Sequence, residues 1–267
     1  MRIFIVDAFT DRPFAGNPAG VCPLDSDARR AADPDWMQRV AAELKHSETA
    51  FTRPLGETWE LRWFTPKTEV ALCGHATMAT AHALFESGLA PAGQPIRFQT
   101  RHSGVLTVRP GQDGLLEMDF PADPAVPADV PPGLAEALGV PVTAVRRSAQ
   151  NDRLLVLADE ETVRKVSPDF AALAAIDARG ICVTAPGSGS YDFVSRFFAP
   201  AVGIDEDPVT GSAHCVLGPY WADRLGRDEL IGYQASERGG EVRIKVSGDR
   251  VILGGRAVTI LEGDLRC

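Results

Sequence analysis

The sequence predicts an α+β protein of two pseudo-symmetric halves, each a mostly antiparallel, curled sheet around a central helix. Three observations carry this reading. Brief, partly alternating apolar runs are bounded by Gly, Pro or Asp, as short strands are. A long helical segment in each half follows a glycine and is apolar over most of its circumference, as a buried helix is. The motifs of the first half also return, in order, in the second.

Strands are predicted over 3–6, 48–52, 60–64, 96–100, 105–108 and 115–120. A helix is predicted over 34–44, with Asp33 as its N-cap. A second follows Gly74, runs through Thr77, Met78 and Ala81 to Phe85, and ends near Gly88. Its residues Ala76, Met78, Ala79, Ala81, Ala83 and Leu84 leave little polar surface. Prolines at 121, 124, 127, 131 and 132 mark the best linker in the chain.

Beyond that linker the plan repeats. Arg62-Trp63-Phe64-Thr65-Pro66 has a counterpart in Arg196-Phe197-Phe198-Ala199-Pro200. Gly74-His75-Ala76-Thr77 is echoed by Gly211-Ser212-Ala213-His214, and the helix that follows ends at Gly226. Phe98-Gln99 is matched with Tyr233-Gln234. Three coincidences in order, at nearly constant offset, indicate a duplicated domain rather than an array of small repeats. The expected halves are 1–120 and 121–267, with the last strand, 256–267, a candidate to pack back on the first.

Composition excludes several classes. The 267 residues are 45% hydrophobic and 24% charged, the proportions of an ordinary globular protein. A net charge of −9 without a Lys/Arg cluster makes nucleic acid a poor partner. No apolar run approaches the roughly 18 residues of a membrane span. Residues 1–10 lack a signal-peptide cleavage pattern, so a cytoplasmic location is expected. Cys22, Cys73, Cys182, Cys215 and Cys267 are odd in number and widely spaced, unlike a disulfide framework or a structural zinc site. The histidines show no HExxH spacing, so no metal is expected. GxGxxG and GxxxxGK[ST] motifs are absent, which argues against dinucleotide-binding and P-loop folds.

The chemistry points to the two helix starts. A helix N-terminus offers unpaired N–H groups and about half a positive charge, which suits a carboxylate. Gly74 and Gly211 would let a ligand approach the backbone, and His75 and Ser212 follow them. If the halves face each other, both termini point into one cleft; alternatively the glycines merely start helices beside tight turns. Asp207, fixed by Pro208, is either a cap or a proton-transfer group, and Asp205 and Glu206 are better read as favourable partners of the helix dipole. Glu48 enters a strand where the duplicate reads Gly180-Ile181-Cys182-Val183, so it is either a working acid or a solvent-facing edge residue. Burial would raise its pKa and suit it to acid–base work. Cys73 at the helix start is a second candidate base, but its counterpart is Thr210, so no symmetric thiol pair exists. His82 and His102 are placed on polar faces, and His46 has no evident role.

Several runs resemble the phenazine-biosynthesis isomerase (PhzF-like) family, within the diaminopimelate epimerase-like fold. They are Val6-Asp7-Ala8-Phe9 to Gly16-Asn17-Pro18-Ala19-Gly20-Val21, Ser47-Glu48-Thr49-Ala50-Phe51, Arg62-Trp63-Phe64-Thr65-Pro66, Cys73-Gly74-His75-Ala76-Thr77, Asp207-Pro208-Val209-Thr210-Gly211-Ser212-Ala213-His214 and Gly254-Gly255-Arg256-Ala257. The resemblance implies two β-barrel halves, each around a central helix, with the active site between them. It implies a cofactor-independent, metal-free isomerase in which Glu48 moves a proton on a small carboxylate-bearing metabolite. His75, Asp207 and Ser212 would join the catalysis, Asn17, Gly74 and Gly211 would contact substrate, and the protein would be a homodimer. Two other classes stay open: a thiol-dependent racemase or epimerase using Cys73, and a non-catalytic small-molecule binding protein of the same fold.

Overall fold

Backbone pairing makes the duplication visible. In the computed structural model, which describes residues 1–24 and 33–266, the chain divides into two units, Met1–Asp119 with Gly254–Cys267, and Phe120–Leu253. Cys267 lies outside the described residues. Among the described residues, no helix is long and apolar enough to cross a membrane.

In the first unit, β1 (Arg2–Ala8) and β2 (Asn17–Pro23) lead through α1 (Pro34–Leu44) into β3 (Glu48–Leu55), β4 (Thr58–Phe64) and β5 (Glu69–Val70). The central helix α2 (Gly74–Glu86) follows, then β6 (Ile96–Gln99), β7 (Val105–Pro110) and β8 (Leu116–Pro121). Asp33 caps α1 by accepting the Trp36 N–H, and Pro34 occupies the first turn, where a missing N–H costs nothing.

The second unit holds β9 (Val126–Ala128), α3 (Leu134–Leu138), β10 (Val145–Arg147), β11 (Arg153–Val156), α4 (Glu160–Lys165) and α5 (Phe170–Ala174). Its sheet continues with β12 (Ile181–Pro186), β13 (Phe193–Ala199) and β14 (Ile204–Asp207). After these come the central helix α6 (Gly211–Leu225), β15 (Glu229–Gln234), β16 (Gly240–Ser247) and β17 (Arg250–Gly255).

The pairing patterns coincide step by step. β2 runs parallel to β3, β3 antiparallel to β4, β4 antiparallel to β5 and parallel to β6, and β6 antiparallel to β7. The same five relations hold for β11–β12, β12–β13, β13–β14, β13–β15 and β15–β16. One ion pair is duplicated with them. Arg62 on β4 grips Glu69 on β5 through Nε and Nη2 at 2.7 and 2.8 Å, and Arg196 on β13 grips Glu206 on β14 at 2.7 and 2.8 Å. Each guanidinium also lies over a phenylalanine of its own strand, Phe64 at 5.1 Å and Phe198 at 4.9 Å. Glu206 is therefore a sheet-locking residue rather than a partner of the helix dipole.

Each central helix is buried over most of its length. In α2 every residue from His75 to Ala81 is buried, with Ala83 and Leu84, and α6 buries Ala213 to Gly218 with Trp221 and Ala222. Complete burial of a Met78 or a Leu84 stabilises by about 1.5–3 kcal/mol per side chain.

Two expectations need correction. The register sets Trp59 opposite Phe98 and Phe193 opposite Gly232, so the structural counterpart of Phe98 is Gly232, one residue before Tyr233. A one-residue slip exchanges the faces of a strand, and here it puts Gln99 with Tyr233. A Cβ on Gly232 would stand 2.5 Å from the Phe193 ring, so the second unit accepts only glycine where the first carries a phenylalanine. The proline-rich stretch 121–132 is also more than a linker, since Val126–Ala128 pairs antiparallel with β10.

The strand β18 (Ala257–Asp264) belongs to the first unit and pairs antiparallel with β1 through Arg2–Ala8, with a bulge between Ile5 and Val6. The Leu265 N–H closes this edge by donating to the Met1 carbonyl at 2.8 Å.

Candidate active site

Glu48 is the first residue of β3 and lies beside Ala19 of β2 in the parallel pair. This position turns its carboxylate toward the first turn of α2. Glu48 Oε2 lies 3.3 Å from His75 Nε2, and its side chain is only 13% exposed. Ser47 Oγ lies 3.3 Å from the same ring nitrogen and donates to Asn17 Oδ1, also at 3.3 Å. Cys73 Sγ lies 3.5 Å from Nδ1 and 4.0 Å from Nε2 of the same imidazole. Asn17, Ser47, Glu48, Cys73, Gly74 and His75 thus form one cluster inside the first unit.

Burial dominates the electrostatics of Glu48. It pushes the carboxyl above its usual value of 4.5, while hydrogen bonds from Ser47 and Cys73 hold the shift in check. A raised pKa of this origin suits a carboxyl to general acid–base work. Neither helix start is capped by a side chain: Cys73 and Thr210 are the N-cap residues of α2 and α6, and neither side chain bonds a backbone N–H of the first turn.

One property of the cluster is invisible in residue spacing. A carboxylate oxygen of Glu48, the sulfur of Cys73 and a ring nitrogen of His75 all lie within 4.8 Å of one another. These donors come from a strand and a helix start 25 residues apart in sequence, between Glu48 and Cys73, so no local motif announces them.

In the second unit, Asp207 ends β14 and its Oδ2 accepts the Thr210 hydroxyl at 2.5 Å. Gln234 clamps the turn between them. Its Nε2 donates to the Asp207 carbonyl at 2.7 Å, and its Oε1 accepts the Thr210 N–H at 2.9 Å. Gly211 and Ser212 open α6, and Ser212 Oγ accepts from Arg179 Nη2 at 3.0 Å. Arg179 is itself held by a two-pronged contact to Asp152, at 2.9 and 2.5 Å.

Gln234, Arg179 and Asp152 were missed by sequence reasoning, because each reaches its partner across the fold. Register explains the place of Arg179. Thr49 pairs with Phe64 and Ile181 with Phe198, so Glu48 corresponds to Gly180 and Ser47 to Arg179. The expected match of this strand entry with the run 180–183 holds in the register, with Gly180 at the place of Glu48. In both units the residue at this place reaches the second residue of the central helix, Ser47 to His75 and Arg179 to Ser212.

The remaining histidines lie apart from these contacts. His102 is exposed, and His82 is half-buried on α2, 3.5 Å from Glu86, with its pKa lowered by burial. His214 was passed over in the sequence. It is fully buried, its Nδ1 donates to the Thr210 carbonyl at 2.8 Å, and burial lowers its pKa to about 4.

Comparison with known proteins places these residues in a family. A model of phenazine biosynthesis-like proteins matches residues 6–263. The chain belongs to the PhzF family. An isomerase of Halalkalibacterium halodurans, itself uncharacterized, is 48% identical over 98% of this chain and 97% of its own. A mouse phenazine biosynthesis-like domain-containing protein is 42% identical, with 99% of both chains covered. A PhzF-family crystal structure from Enterococcus faecalis superposes with a TM-score of 0.92 at 43% identity, covering 100% of this chain and 99% of that one. The PhzF chain is accordingly an isomerase by class, and its fold is the diaminopimelate epimerase-like one. That fold extends to a hydroxyproline epimerase from Agrobacterium vitis at 12% identity and a TM-score of 0.61, a likeness of fold alone.

Proposed function

We propose that the protein is a cofactor-independent isomerase that moves a proton on a small, carboxylate-bearing metabolite, with Glu48 as the acid/base. The observation that carries this is the buried Glu48 carboxyl, raised in pKa and bounded by His75, Ser47 and Cys73. The Glu48 carboxylate takes a proton from one carbon of the substrate, and the carboxyl so formed returns a proton to another. His75 stabilises the charge that appears on Glu48 and orients its oxygen. Asn17 and the backbone at Gly74 are assigned to substrate binding. Asp207, Ser212 and Gly211 are assigned roles in the same reaction on the strength of the family motif. The protein is read as a cytoplasmic homodimer on the same ground.

The lack of a symmetric partner favours an isomerisation with Glu48 as the acid/base over a two-base racemisation, since Gly180 stands at the counterpart of Glu48 and Thr210 at that of Cys73. The test is incubation with a bacterial metabolite pool in deuterated water, read by mass spectrometry. A product isomeric with its precursor, formed by the wild type and not by Glu48→Gln, is the expected result. Conversion that persists in Glu48→Gln overturns the assignment, and a ligand bound without conversion or exchange points to a binding protein.

One observation favours a second reading. Cys73 Sγ lies 3.5 Å from His75 Nδ1, close enough for the imidazole to take the thiol proton, so a thiol-dependent epimerase using Cys73 is the alternative. Inactivation by iodoacetamide that substrate prevents, and that Cys73→Ser abolishes, would establish it.

A further inference from the structure

We propose that Glu48, Cys73 and His75 form a binding site for a thiophilic divalent cation such as Zn2+, and that an ion held there silences the enzyme. Binding stands on geometry alone; silencing rests on the reading of Glu48 as the acid/base.

The donor set is one that Zn2+ takes. Thiolate, imidazole nitrogen and carboxylate oxygen are its three protein ligands, and sites with three such ligands keep a fourth position for water. Bond lengths of roughly 2.0–2.3 Å in a tetrahedron require donors about 3.3–3.8 Å apart. The imidazole Nε2 is 3.3 Å from Glu48 Oε2 and 4.0 Å from Cys73 Sγ, and the three donor atoms all lie within 4.8 Å of one another. Shifts of a few tenths of an ångström for two edges, and of about one at most for the third, would complete the shell.

Rigidity also favours the site. Glu48 begins a strand paired on both sides, and Cys73 and His75 sit at the start of a buried helix, so no loop must be ordered on binding. Ser47 already contacts both the imidazole and Asn17 and supports the ring from outside the donor set. On binding, the ion replaces the thiol proton, which leaves to solvent, and bonds form to sulfur, nitrogen and oxygen without change of oxidation state. Two anionic ligands then balance the charge of the ion in a buried place. With one oxygen bonded to the metal and the cation's charge drawing electron density from the carboxylate, Glu48 becomes too weak a base to take a proton from carbon.

Co2+ is the probe. Titrated into chelator-treated wild-type protein, it should give one equivalent of binding with a near-ultraviolet sulfur-to-metal charge-transfer band and the intense visible bands of tetrahedral coordination. One equivalent of Zn2+ should bleach them. Cys73→Ser should lose the charge-transfer band, and His75→Gln should weaken binding about tenfold or more, each variant keeping the wild-type circular dichroism spectrum. No band in the wild type, or an undiminished band in Cys73→Ser, overturns the site. In the deuterium incubation, one equivalent of Zn2+ should abolish labelling and chelator should restore it. Binding that leaves labelling intact overturns the silencing and also counts against Glu48 as the acid/base, while the site itself stands.

Discussion

Gly180 occupies in the second unit the place that Glu48 occupies in the first, one residue ahead of the strand position that pairs with the phenylalanine of the next strand. The second unit has no room for a carboxylate there. A Cβ on Gly180 would stand 2.1 Å from the Phe197 ring. Gly180→Ala should therefore destabilise the protein by about 1–3 kcal/mol, the usual cost of overpacking. An unchanged urea midpoint would show that Phe197 moves aside freely.

Glu48→Gln keeps the shape of the side chain and removes its proton. It should lower kcat by about 10²–10⁴-fold. Stability should move the other way. A carboxyl whose folded pKa is raised stabilises the fold most at low pH, and that contribution is lost as pH rises through the folded value. The neutral amide escapes this cost, so at pH 7 the variant should be as stable as wild type or more so in urea unfolding.

The acid limb of kcat/KM should reflect Glu48 and have its midpoint above 4.5, because burial outweighs the hydrogen bonds to its carboxylate. Ser47→Ala removes the larger of the two side-chain hydrogen bonds that hold the value down, so the limb should move further up. A downward shift in this variant would show that Ser47 serves the protonated form instead.

The duplicated ion pairs should matter more than those on the surface. Arg62 is almost wholly buried, so Glu69→Gln should cost about 1.5–3 kcal/mol, the range for hydrogen bonds to a charged group. Glu262→Gln breaks the exposed pair with Arg2 and should cost less than about 1 kcal/mol. The Arg62 guanidinium lowers the pKa of Glu69, so the contribution of this pair is present above pH 4.5 and fades as pH falls through the lower folded value. Urea midpoints of the three proteins at pH 7 and pH 4 would decide both points.

His214 gives the fold a second pH dependence. Its folded pKa of about 4 lies below the usual 6.5, so the unfolded chain binds the extra proton between those values. Stability is then full above pH 6.5 and declines as pH falls toward 4, by a total of roughly 3 kcal/mol. His214→Gln, whose amide can still donate to the Thr210 carbonyl, should flatten the slope between these limits whatever its effect on absolute stability. A slope as steep as that of wild type would assign the effect to other groups.

Much of the fold was legible because its signals are local. Asp33-Pro34 fixes the start of α1 within four residues of sequence, and the apolar circumference of α2 identifies a buried helix without knowledge of its neighbours. The repeat was legible in outline and lost in register. Two residues separate β3 from β4, whereas six separate β12 from β13. The offset is therefore 132 from Glu48 to Gly180 and 134 from Phe64 to Phe198, so no constant offset aligns the two halves. The cluster around Glu48 was legible in its motif residues Glu48, Gly74 and His75. Ser47, Arg179, Asp152 and Gln234 act through hydrogen bonds between separate elements, which no spacing rule records. The three-donor cluster escaped for the same reason.

The pairing of β18 with β1 has a consequence for synthesis. The outer edge of β1 is completed by residues 257–264, which leave the ribosome only after the whole of the second unit. Until then the first unit presents an open strand edge, the kind of surface that recruits unwanted pairing. The second unit, continuous in sequence, can fold to completion while its neighbour waits. Nascent chains halted before Ala257 should therefore be the ones that engage chaperones.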